Sequence, residues 1–289
     1  MLDFYKEYVF NLSGKKFHAR AWGNPEASPV MALHGWLDNA NSFTPLAEHL
    51  EDVFLVAPDL AGHGLTDHRS ADARYNIWQD TTDIFAIADQ LDWKNFSLLG
   101  HSRGGICATI SAGTFPRRIS RLILLDALIP VDIATQDSAP KQLAKAMLSL
   151  RRLDNSKKTI YPSPDKALGP RMRSPMTLSH KSANLLAERG LEEVDGGYRW
   201  RTDPQLTGAS EVRLVEDQYA AFLDAINCPS LMLIAEQGRM KQPLENVFNR
   251  LLADNALFEK RILPGGHHFH MEDETVSEVA EAINSFLKN

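Results

Sequence analysis

The stretch best equipped for chemistry is Gly100-His101-Ser102-Arg103-Gly104, a serine flanked at two positions on either side by glycine. An apolar run, Phe96-Ser97-Leu98-Leu99, leads into it, and a helical stretch from Ile106 to Thr114 follows. Where a strand turns abruptly into a helix, the central residue takes a strained backbone conformation, and side chains two positions away would collide. Glycines at 100 and 104 remove that collision. Ser102 is then presented at the end of a strand, above a helix N-terminus that favours developing negative charge. This context marks Ser102 as a nucleophile.

A serine hydroxyl attacks poorly until a base takes its proton, and the oxyanion that forms needs two donors. The Arg103 amide is one donor. The other is expected from Trp36, because Val30-Met31-Ala32-Leu33-His34-Gly35-Trp36 places a His-Gly turn at the end of an early strand. For the base, Pro264-Gly265-Gly266-His267-His268-Phe269-His270 offers three histidines in a loop before the last helix. Three histidines also suit a metal, but no carboxylate or cysteine cluster elsewhere in the sequence completes a ligand set, so no metal is expected. A helix-opening cation is disfavoured by the dipole, so the Arg103 side chain either meets an anionic substrate group or faces solvent. His63, in Asp59-Leu60-Ala61-Gly62-His63-Gly64, reads as a residue that satisfies backbone groups in a tight loop.

These residues need a scaffold. Tyr8, Phe10, Phe17, Ala19 and Ala21 alternate around Ser13-Gly14, the pattern of a β-hairpin. From residue 30 the pattern becomes short continuous apolar runs at 30–33, 53–57, 96–99, 122–125 and 231–235, as in strands buried on both faces. Helical periods lie between them, at Ile77 to Leu91 and at Val276 to Leu287. Strands alternating with helices predict an α/β fold with a mostly parallel, doubly wound sheet. From about 128 to 225 no comparable strand run occurs. That segment reads helical at Gln142 to Leu153 and Ser179 to Arg189, and is too long for a plain connection. The expected organisation is a core of residues 1–127 and 226–289 with an inserted helical cap, or lid, at 128–225.

Composition narrows the function class. The 31 Lys and Arg against 37 Asp and Glu leave a net charge of −6, which disfavours nucleic acid as a partner. Two cysteines, Cys107 and Cys228, build no disulfide framework. Met1 to Glu7 lacks the basic start and apolar stretch of a secretory signal, and no apolar run approaches a membrane span. A cytoplasmic location is expected.

Together, His34-Gly35-Trp36, Asp59 to Gly64, Gly100 to Gly104 and Gly266-His267 resemble the α/β-hydrolase fold family, in its order and over most of the chain outside the cap. His34 to Ala40 and Gly266 to Met271 are further similar to the serine hydrolase-like proteins. The family's closing motif puts the catalytic histidine directly after a glycine with an acid five positions later, which implies His267, with Glu272 at the acid position. The family usually carries its third triad member after the strand that follows the cap, but Gly238 stands in that place. Some relatives take the acid from the preceding strand end, which implies Asp126. Glu236 is the alternative, and the role requires only a buried acceptor at the histidine's other nitrogen.

The resemblance implies a cofactor-free serine hydrolase that cleaves a carboxylic ester of a small or medium-sized substrate through an acyl-enzyme. Ser102, His267 and Asp126 would act, with the Trp36 and Arg103 amides as oxyanion hole. Carbon–carbon bond hydrolysis and perhydrolysis use the same triad. A ligand-binding member that has lost turnover is the other class. The sequence leaves the oligomeric state open.

Overall fold

The computed structural model describes residues 5–70, 72–130, 137–154, 159–173 and 178–288; Met1 to Phe4, part of the N-terminal reading, lie outside them. The expected hairpin is β1 (Lys6–Leu12) and β2 (Lys15–Trp22), paired antiparallel. The apolar runs form β3 (Ser28–Leu33), β4 (Val53–Pro58), β5 (Phe96–His101), β6 (Ile119–Leu125) and, after the insertion, the strand Ser230–Ala235.

Between them lie α1 (Thr44–Ala47), α2 (Ile77–Gln90) and α3 (Arg103–Thr114). The segment 128–225 carries α4 (Ala139–Asp154), α5 (Pro164–Met172), α6 (His180–Gly190), a hairpin of β7 (Leu191–Val194) and β8 (Gly197–Trp200), and α7 (Glu216–Ala225). The chain then runs β9 (Ser230–Ala235), α8 (Lys241–Leu251), β10 (Phe258–Leu263) and α9 (Val276–Lys288).

Eight strands form one sheet in the order β1-β2-β4-β3-β5-β6-β9-β10. Pairings from β4 through β10 are parallel, while β1–β2 and β2–β4 are antiparallel. Successive strand residues serve opposite faces, as the pleat requires. Leu98, Leu122, Leu124 and Met232 pack with Ile84 of α2, Ile110 of α3, Leu223 of α7 and Val247 of α8. Their neighbours Leu99, Ile123, Leu125 and Leu233 pack on the other face with Leu46 of α1 and Val279 and Ile283 of α9. Two buried faces explain why the strands read as continuous apolar runs.

Within the insertion, Leu168 of α5 and Leu186 of α6 form a separate cluster that includes Met271 from the loop after β10. α7 lies inside the same sequence segment but packs Tyr219 and Leu223 into the main core. Hairpin β7–β8 and helix α5 left no sequence signal, since the strands have four residues each and α5 contains Pro170. Among the described residues, no helix is long and apolar enough to cross a membrane.

Candidate active site

Parallel strands put their carboxyl ends at one edge of the sheet, where loops of α/β proteins gather ligands. Four loops meet there, after β3, β5, β6 and β10. The turn from β5 to α3 holds Ser102 at φ 52°, ψ −120°, a conformation sparsely populated by residues other than glycine. The flanking glycines are needed for contact: a Cβ on Gly104 would lie 2.0 Å from the Leu33 carbonyl oxygen, and one on Gly100 would lie 2.6 Å from that of Gly104. The Ser102 N–H donates to the Leu125 carbonyl at 3.1 Å, tying the turn to β6.

Asp126 follows β6 directly and is buried, with φ 47°. Its Oδ1 accepts the Ala235 N–H at 3.2 Å, and its Oδ2 lies 2.6 Å from His267 Nδ1. His267 Nε2 is buried and has no hydrogen-bond partner among the described residues. Ser102 and His267 line the same cavity, of about 450 Å³. Glu236 is exposed and outside this group. Gly238 explains the missing acid, because a Cβ there would stand 3.2 Å from Asp126 Oδ2. A carboxylate at 238 would crowd the one at 126.

A match to the family model described as alpha/beta hydrolase fold runs over residues 28–274. The chain belongs to that family. It is 31% identical over 288 residues to a serine hydrolase-like protein of Dictyostelium discoideum, covering 95% of this chain and 79% of that one. Human serine hydrolase-like protein 2 is 30% identical, with 93% and 90% covered. Among solved structures, a hypothetical protein of Pseudomonas aeruginosa PAO1 is 41% identical with a TM-score of 0.89, over 98% of this chain and 100% of that one. A thioesterase domain from the curacin biosynthetic pathway is 25% identical with a TM-score of 0.81, over 99% of each chain.

In this α/β-hydrolase chain two buried histidines shape the loop after β3. His34 donates from Nδ1 to the Gly35 carbonyl and accepts the Leu60 N–H at Nε2, 2.9 Å away. His63 accepts the Leu37 N–H at 3.2 Å and donates to the Ala61 carbonyl, the structural task expected of it. Burial pushes the pKa of both below the usual histidine range. Between these anchors, the Trp36 N–H has no protein acceptor among the described residues. The Trp36 ring lines the cavity and its Nε1 donates to the Leu206 carbonyl of the insertion.

The Arg103 side chain departs from both expectations. It neither faces solvent nor joins the Ser102 cavity, because Asp80 of α2 holds its guanidinium at 2.6 Å. Asp80 is buried and also lies 3.5 Å from Arg69, so a charge network beneath the elbow uses the arginine.

The closing histidines divide. His267 joins Asp126, His270 is fully buried against Phe43 with ring centroids 5.6 Å apart, and His268 lines the cavity beside Asp38. Asp38 and Arg171 also line the cavity. Arg171, in α5, lies over the Trp200 ring at 5.0 Å and 4.0 Å from Asp38 Oδ1. Asp38 belongs to the sequence turn already quoted, whereas nothing around Arg171 in the sequence points to a site.

Proposed function

We propose that this protein is a serine hydrolase that cleaves a carboxylic ester of a small or medium-sized substrate through an acyl-enzyme. The observation that carries the reading is the Asp126–His267 pair beside Ser102. A carboxylate on Nδ1 fixes that nitrogen as the N–H and leaves Nε2 as the base facing the cavity. Ser102 loses its proton to Nε2 as it attacks the ester carbonyl. The Arg103 and Trp36 amides stabilise the oxyanion, and His267 returns the proton to the departing alcohol. Water then repeats the sequence on the acyl-enzyme and releases the acid.

The segment 128–225 serves as a cap over this site, since Tyr161, Arg171 and Trp200 from it line the Ser102 cavity. The volume of about 450 Å³ suits a small molecule. The Asp126–His267 contact supports turnover over a catalytically silent reading, which was motivated by the lack of an acid at 238.

The test is labelling by a fluorophosphonate, followed by turnover of chromogenic esters of graded acyl length. Wild type should label and Ser102→Ala should not. An unlabelled wild type would overturn the proposal.

A further inference from the structure

In the cavity beside Ser102, the buried side chains of Asp38, His101 and His268 converge. His101 Nε2 lies 3.0 Å from the carbonyl oxygen of His267. A carbonyl only accepts, so Nε2 carries the ring proton of a neutral imidazole. Its Nδ1 is then a bare lone pair. That lone pair is 3.6 Å from Asp38 Oδ2, and neither atom has a hydrogen-bond partner among the described residues. A buried carboxylate oxygen facing a buried imine nitrogen calls for a cation between them.

We propose that Asp38, His101 and His268 bind a divalent transition metal of the zinc class beside the catalytic serine, and that its binding inhibits hydrolysis. The third ligand is already in reach, as His268 Nε2 lies 3.4 Å from the same Asp38 oxygen. Tetrahedral zinc, with bonds of about 2.0–2.2 Å, sets its ligand atoms roughly 3.4 Å apart. One possible ligand atom from each of the three side chains lies within 4.8 Å of the others.

Other features suit the donor set. His101 donates its second ring nitrogen to a backbone carbonyl, the outer contact that orients metal-bound histidines. Gly35 keeps the gap open, because a Cβ there would lie 2.7 Å from Asp38 Oδ2 and 2.9 Å from His101 Nδ1. Three protein ligands leave a fourth position toward the cavity that Asp38, His101 and His268 all line.

Inhibition follows from charge, and this part rests on the hydrolase reading. The His267 ring is centred 4.7 Å from that of His101 and 5.2 Å from that of His268. His267 must become a cation during each turnover, and a divalent ion bound to its two neighbours opposes that. The sequence showed no partners for the closing histidines because Asp38 and His101 reach His268 only through the fold.

The test uses the full-length protein stripped of metal, with Ser102→Ala alongside wild type so that binding is read without turnover. Cobalt titration should give the visible absorption of a tetrahedral site at one ion per chain, and zinc should displace it. Asp38→Asn and His268→Gln should each weaken binding by about 100-fold or more, given that outer-contact losses alone cost 10- to 100-fold. The exposed His49→Gln should bind as wild type does. Anomalous scattering from a zinc-soaked wild-type crystal should place the ion between Asp38 and His101, which keeps the test decisive if the variants fail to fold.

No tetrahedral cobalt spectrum, or equal binding by wild type and the two ligand variants, would overturn the site. Metal binding without loss of ester turnover would overturn the inhibition. Metal binding by a protein that fails fluorophosphonate labelling would support the site and sink the hydrolase reading.

Discussion

His267 Nδ1 and Asp126 Oδ2 lie 2.6 Å apart although 141 residues separate them in the chain. The loop after β10 and the end of β6 are brought together because both strands flank β9. Asp126→Asn should lower kcat by about four orders of magnitude with little change in KM, since the amide can leave His267 in the wrong tautomer. Glu236→Gln should turn over esters as wild type does. Steady-state kinetics on a chromogenic ester decides between them, and loss of activity only in the second variant would reassign the acid.

The elbow makes a prediction about stability. Ser102 has φ 52° and its side chain caps nothing, so relief of the backbone outweighs any lost contact. Ser102→Gly should be more stable than Ser102→Ala by about 1 kcal/mol, the reverse of the helix order. Gly104→Ala should lose more than about 3 kcal/mol, because its methyl would overlap the Leu33 carbonyl, a backbone atom. Chemical denaturation measures both.

Acid should loosen the loop after β3. In the folded protein burial lowers the pKa of His34 and His63 below the ordinary 6.5. The unfolded chain therefore takes up protons first. Stability is complete above about pH 6.5 and falls as the pH drops toward the folded-state values, by at most about 1.4 kcal/mol per pH unit for each histidine. His63→Gln, which keeps an acceptor for the Leu37 N–H, should flatten that slope between pH 6.5 and 5. An unchanged slope in denaturation curves would count against the assignment.

Arg189 fastens α6 to the core. Its Nε lies 2.8 Å from Oδ2 and 3.0 Å from Oδ1 of Asp59, and both side chains are essentially buried. Arg189→Met should cost about 3–5 kcal/mol, since Asp59 would remain as an uncompensated buried charge. Glu7, which meets Arg189 at 2.8 Å from a partly exposed position, should tolerate Glu7→Gln with a loss under about 1 kcal/mol. Melting curves of the two variants compare the bonds.

The sequence by itself determined the features whose constraints are local. The collision that demands Gly100 and Gly104 involves atoms within a few residues of Ser102 and the strand beside it, so five consecutive residues announce the tight strand-to-helix turn that holds Ser102. Strands buried on both faces announce the sheet in the same way, because each apolar run reports its own surroundings. Tertiary structure alone decided the partners. Which carboxylate serves His267 depended on the β6–β9 pairing that sets Asp126 against Gly238. It decided that Arg103 turns to Asp80, and that Arg171 and Trp200, from stretches of 128–225 outside the two readable helices, line the cavity of Ser102. It also gathered Asp38 and His268 from two loops and His101 from the end of β5. Electrostatic contacts of this kind depend on distance through space, and spacing along the chain carries no record of it.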